Sequence, residues 1–221
     1  MKLRLISLMF LLFVASNVNA TYITYQFSGQ VTTILHDDSS GIFGSTFSVG
    51  DVISGTYTLD TSIIPSYPRP TFARYVGNSF DLNIGSQHFY GTAEHRVFND
   101  DTVITPGQTL DVFSIINESG TYNSPSLGDL VSSTFFMQFF DFSATTLSSL
   151  DMVLDPPPLS SFDQQINGLR LDNSDDPNDY GALYFNVNSL SRVAVPEPGS
   201  LALLGIGILL LAMRRTVRPK V

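Results

Sequence analysis

The chain of 221 residues contains no cysteine and no tryptophan. The first absence excludes a disulfide scaffold and thiolate chemistry, and removes the commonest ligands of structural zinc. Positive charge is scarce as well. Eleven Lys and Arg stand against twenty Asp and Glu, for a net charge of −9. Lys2 and Arg4 open the chain, and Arg214, Arg215, Arg218 and Lys220 close it. Only Arg69, Arg74, Arg96, Arg170 and Arg192 lie between, whereas every acid lies between Asp37 and Glu197. A middle this acidic has no basic footprint for phosphates, which excludes nucleic acid as a partner. No sustained helical stripe precedes residue 199, and no repeat of fixed period appears, so bundles, solenoids and propellers are excluded.

What is present divides into two basic ends and an acidic passenger. Residues 5–14 are apolar, follow the two N-terminal cations and lead into Val18-Asn19-Ala20. That order predicts a secretory signal peptide over 1–20, cleaved between Ala20 and Thr21 and read by the Sec export machinery. At the other end, residues 199–213 form an apolar stretch. As a helix it would extend about 22 Å at about 1.5 Å per residue, short of a hydrocarbon core about 30 Å thick. Arg214 and Arg215 follow at once and hold that end cytoplasmic, in the inner membrane. Before the stretch stands Pro196-Glu197-Pro198, kept extended and out of the helix by its two prolines.

Pro-Glu-Pro, an apolar helix and a terminal Arg cluster, in that order over 194–221, resemble the PEP-CTERM sorting signal. The resemblance implies an exported protein of a Gram-negative bacterium, first anchored in the inner membrane with its domain in the periplasm. It implies an exosortase that recognises Pro196, Glu197 and Pro198, with Arg214 and Arg215 as the cytoplasmic stop. It also implies a cell-surface or extracellular destination in an exopolysaccharide or biofilm layer.

Residues 21–193 read as strands. Ile23, Tyr25, Phe27, Gly29, Val31 alternate with Thr24, Gln26, Ser28, Gln30. Ile53, Gly55, Tyr57, Leu59 repeat the pattern, as do Phe80, Leu82, Ile84 and Leu183, Phe185, Val187. Period two marks strands with one wet face. Further strands are expected around 70–76, 87–98, 109–117, 131–142 and 164–171, with Pro156-Pro157-Pro158 in a loop. The expected fold is all-β, a single β-sandwich of jelly-roll type. The middle also resembles the passenger of many PEP-CTERM proteins: Phe27-x-Gly29-x-Val31, Phe43-Gly44, Phe47-x-Val49-Gly50-Asp51, Gly55-x-Tyr57-x-Leu59-Asp60, and later Pro156-Pro157-Pro158-Leu159 with Phe162-Asp163. That likeness implies a β-rich exported domain and no particular activity.

Four sets of residues carry candidate chemistry. Asp172, Asp175, Asp176 and Asp179 lie close enough in sequence to offer oxygen ligands to calcium, but lack the EF-hand order; a solvated acidic turn is the plainer reading. Asn99-Asp100-Asp101 is a weaker copy. His36, His88 and His95 lack a zinc spacing and read as surface residues, the last two on opposite faces of a strand. Glu94 and Glu118 are a nominal glycosidase pair of unknown separation. The run from Phe135 to Phe142 reads as a central strand buried on both sides; the sharper alternative is an exposed platform for polysaccharide. No catalytic motif is recognised and no cofactor is required. The expected role is structural or interactive; the alternatives are an enzyme acting on extracellular polysaccharide and a calcium-assisted carbohydrate-binding module.

Overall fold

Alternating polarity becomes strand pairing along most of the domain. The structure, a computed structural model, describes residues 22–36, 41–66, 70–102, 107–117, 122–123, 127, 130–173, 175–176 and 178–193. The strands are β1 (Tyr22–His36), β2 (Val52–Asp60), β3 (Phe72–Ile84), β4 (Gln87–Asp101), β5 (Leu110–Asn117), β6 (Tyr122–Asn123), β7 (Leu130–Asp141), β8 (Gln164–Asn173) and β9 (Tyr180–Arg192). A short helix, α1 (Ile42–Thr46), and a single 3-10 turn, Leu159–Ser161, complete the described elements. Residues 21–193 form one compact unit.

The strands run in the order β3-β2-β1-β9-β8-β7-β5-β4, and β4 then pairs back onto β3. All pairs are antiparallel, with β6 added to β4 at Tyr90 and Gly91. The sheet is therefore a closed eight-stranded barrel and not the expected sandwich. The alternation was read correctly, but it is the same in either architecture; what differs is which edges meet. Here β3 and β4 pair from Phe72↔Phe98 to Ile84↔Gln87, so neither is left as a free edge. The segments expected separately at 70–76 and 80–84 are one strand, bent by a bulge between Val76 and Asn78.

The inward set fills the barrel. Phe27, Tyr57, Phe113, Phe135, Phe139 and Phe185 are fully or almost fully buried, each contributing about 1.5–3 kcal/mol of transfer free energy. Both ends are stoppered. At one end α1 inserts Phe43 and Phe47, whose rings lie 4.9 Å apart. Phe43 lies flat on Gly181: a Cβ there would stand 2.2 Å from its ring. At the other end the 142–163 loop lays Leu147, Leu150, Met152 and Val153 against Ala73, Tyr75 and Val97. The Tyr75 hydroxyl donates to the Leu150 carbonyl at 2.7 Å, and the Tyr25 hydroxyl donates to the Val153 carbonyl.

Three buried carboxylates organise the loops at that end. Asp111 accepts the backbone N–H groups of Asp100 and Leu147, at 2.9 and 2.8 Å. Asp101 accepts the Thr71 hydroxyl at 2.8 Å. Asp141 accepts the N–H groups of Ser143, Thr145 and Thr146. Burial alone would raise the Asp141 carboxyl, but these bonds outweigh it and hold the group well below the usual carboxylate range. Asn99-Asp100-Asp101 is thus a loop anchor.

Along the middle of β1 and β2 the outward positions are polar: Thr24, Gln26, Ser28 and Gln30, then Ser54, Thr56 and Thr58. That is the reverse of the apolar outer belt of a membrane barrel. Among the described residues no helix is long and apolar enough to cross a membrane. The predicted signal peptide with its Ala20–Thr21 junction, and the 194–221 segment with Pro196, Glu197, Pro198, Arg214 and Arg215, lie outside the described residues.

Candidate functional site

With aromatic side chains filling the interior and loops over both ends, the outer wall is the surface the domain presents. Apolar outward side chains occur at several places on it, among them Val52, Val76, Tyr90 and Phe98. The wall of β7, β8, β9 and the end of β1 differs in carrying an aromatic pair beside a depression. There Phe136 and Tyr184 face outward from β7 and β9, with Gly168 of β8 paired to both in register. The two rings meet edge to face, 6.3 Å apart. Glycine gives them room: a Cβ at 168 would lie 2.7 Å from the tip of the Phe136 ring and 3.0 Å from the Leu183 carbonyl. Beside this pair, over Ala182, lies a depression of about 220 Å³ whose walls include Phe136, Tyr184, Thr134, Leu35, Tyr180 and Arg170.

Arg170 supplies the polar part. Its Nε donates to Asp172 Oδ1 at 2.6 Å, and its guanidinium carbon lies 4.5 Å from the Tyr180 ring centroid. Aromatic faces beside a fixed cation–carboxylate pair can contact both the C–H faces and the hydroxyls of a sugar ring. The remaining described arginines are also paired with acids. Arg74 and Arg96 both bind Glu94, and Arg192 meets Asp155 at 3.2 Å.

The run at 135–142 therefore differs from its expected burial on both sides. Phe135, Met137 and Phe139 point into the core, whereas Phe136 and Phe140 are half-buried on the outer wall. Phe142 follows in the loop, stacked on Phe140 at 6.4 Å, and is exposed. Alternate residues of a barrel strand face away from the interior, and on β7 those positions are only half-buried, whereas neighbouring β5 is buried on both phases. Tyr180, Tyr184, Arg170 and Gly168 were not singled out from the sequence. The available signal was Tyr184 on the otherwise polar phase of the 183–187 alternation.

The other candidates are placed as follows. Asp172 is bound to Arg170. Asn173 donates to Asp179 Oδ2 at 2.9 Å, and its own Oδ1 accepts the Asp175 N–H at 2.9 Å. Asp176 Oδ1 accepts the Asn178 N–H at 2.9 Å. These are turn-forming bonds of Asx type. Among the described residues no group of three or more His, Asp or Glu is placed to hold a metal ion. Glu94 is held by two guanidinium groups; burial raises its carboxyl, but Arg74 and Arg96 outweigh burial and lower it. Glu118 lies outside the described residues.

His36 and His88 are exposed, but His95 is not a surface residue. It is wholly buried in the barrel beside Tyr57, Tyr75 and Phe113, at ring distances of 6.0, 5.8 and 5.1 Å. Its parity on β4 places it opposite to His88, and that phase is the core phase. Neither ring nitrogen of His95, nor the Tyr57 hydroxyl, has a hydrogen-bond partner among the described residues. Desolvation drives the His95 pKa down to about 3, so the ring is neutral at ordinary pH.

Residues 194–216 match the PEP-CTERM protein-sorting motif. The chain therefore carries an exosortase-dependent sorting signal. It is an exported surface protein, held by its C-terminus as a precursor, and exosortase is its processing partner. No curated protein and no solved structure matches the chain.

Proposed function

We propose that the barrel is a non-enzymatic interaction domain of an exopolysaccharide or biofilm layer, and that its aromatic depression contacts a neutral polysaccharide. The observation that carries this reading is the outward Phe136–Tyr184 pair spanning Gly168 beside the Arg170–Asp172 pair. A ring-sized apolar floor with a polar rim suits a sugar face. The preference for a neutral polymer follows from charge. The described arginines are each matched by an acid, and the domain is strongly acidic, so a polyanion would be repelled. In this reading the protein works without metal or cofactor. Export through the Sec pathway and an inner-membrane precursor with a periplasmic barrel complete the proposal.

Affinity electrophoresis of purified residues 22–193 in gels containing neutral or acidic polysaccharides tests it. The barrel closes within those residues, so the fragment is a folding unit. Retardation by a neutral polymer, reduced at least tenfold in Tyr184→Ala, is the expected result. Equal retardation of Tyr184→Ala, or none by any polymer, overturns the assignment.

A further inference from the structure

The last strand of the barrel is held in two different ways. As far as Phe185, β9 lies between β1 and β8, the last register pair with β8 being Asn167↔Phe185. At Val187 the side chain of Gln165 takes the place of a strand. Its Oε1 accepts the Val187 N–H at 2.8 Å, and its Nε2 donates to the Val187 carbonyl at 3.3 Å. Beyond that clamp, β1 alone provides the backbone ladder, through Ser28↔Ser189, Phe27↔Leu190, Gln26↔Ser191 and Tyr25↔Arg192. A bulge between Ser28 and Gly29 interrupts this ladder at its base. The final bond runs from the Val193 N–H to the Thr24 carbonyl, at 2.8 Å. Ser189, Ser191 and Arg192 are exposed, and the Arg192–Asp155 pair is a solvent-facing one of little strength.

The sorting motif begins at residue 194, one residue after that final bond. Pro196 is three residues beyond Val193, a reach of about 10 Å when extended. An enzyme that reads a peptide as an extended strand uses its backbone N–H and C=O groups. Pro196 and Pro198 have no N–H to give. The donors just upstream include those of Arg192 and Val193, which belong to the strand and to its final bond with β1.

We propose that residues 188–193 are a detachable end of β9. They peel from β1 so that exosortase can take the chain as an extended strand, and the Gln165–Val187 clamp is where peeling stops. The inference rests on the sorting signal and is independent of what the aromatic depression binds. The strand end serves two purposes in succession: paired to β1 it completes the folded strand, and released it supplies extended chain upstream of the sorting motif.

The test uses the full chain, which has no native cysteine. Ser28 Oγ and Ser189 Oγ are 2.7 Å apart, so Ser28→Cys with Ser189→Cys is placed to lock the two strands by a disulfide. Gln26→Cys with Ser191→Cys is a second lock at the next outward pair. Processing of the exported precursor is followed by pulse-chase, with diamide or with reductant. The oxidised double variants are expected to be processed at least tenfold more slowly than the single-cysteine chains. Reductant is expected to restore the rate, which shows that the fold is intact. A Gly-Ser spacer of six residues after Val193 is expected to restore processing of the locked chain. Locked chains processed at the single-variant rate overturn the proposal, as does a lock that the spacer does not relieve. Unchanged processing of the wild-type chain in an exosortase-deleted strain would instead sink the sorting reading itself.

Discussion

The Tyr75 hydroxyl donates a 2.7 Å hydrogen bond to the carbonyl of Leu150, tying an inward tyrosine of β3 to the loop that stoppers the barrel. The neighbouring bond from Tyr25 to Val153 makes this a two-point fastening. Loss of one such bond costs about 1 kcal/mol. Tyr75→Phe is therefore expected to lower the melting temperature by a few degrees. Its larger effect is local: hydrogen exchange across 147–153 should accelerate more than exchange in β1 or β2. Uniform acceleration over the whole barrel would show that the loop is not separately fastened.

The buried imidazole of His95 makes stability depend on acid. Its folded pKa, about 3, lies below its ordinary value of 6.5. Between these values the unfolded chain takes up a proton that the folded barrel cannot. Stability is therefore complete above about pH 6.5 and falls as pH drops, by up to about 1.4 kcal/mol per pH unit. Asp141 and Glu94 add a second decline, confined to the range below their ordinary carboxylate pKa values, because both are lowered in the folded state. Urea titrations of wild type and His95→Phe at pH 5 and pH 7 separate the two. The wild type should lose stability between these values, whereas the variant should hold it.

Gly168 links the fold to the proposed site. A methyl group there meets the tip of the Phe136 ring at 2.7 Å, a side chain able to swing, but also the Leu183 carbonyl at 3.0 Å. Gly168→Ala is expected to cost about 1–3 kcal/mol, the usual range for overpacking, and to displace the Phe136 ring that walls the depression. Polysaccharide retardation should fall together with this modest loss. Equal retardation of Gly168→Ala and wild type would place the contact elsewhere.

Removal of residues 196–221 takes away the sorting signal and leaves every described strand in place. The truncated chain is expected to fold, to be exported and to appear in the soluble exported fraction, with far-UV circular dichroism like that of the processed protein. Fractionation of the truncated chain with membranes would mean that the barrel carries an attachment of its own.

A calcium titration addresses the 172–179 turn. One oxygen each of Asp172, Asp176 and Asp179 is already bonded to Arg170, Asn178 and Asn173, and no group of three acids converges among the described residues. Binding there would have to replace those bonds, so the expected result is an unchanged melting temperature at millimolar calcium. A rise of several degrees would identify a bound ion.

Local chemistry alone reveals the two basic ends, the sorting motif, the acidic passenger and the phase of β1, β2, the second half of β3 and β9. Charge order, proline placement and period-two alternation are written in neighbouring residues. Ile23, Tyr25 and Phe27 could be assigned inward because Thr24, Gln26 and Ser28 stand between them. Tertiary structure alone decided that the strands close into a barrel, since alternation says which side of a strand is dry and not which edge it meets. The same closure buried His95, turned Phe136 outward and set it across Gly168 from Tyr184. Those residues lie on three different strands, and no local pattern relates them. It also brought the end of β9 against the start of β1, where Val193 meets Thr24 one residue before the sorting motif begins.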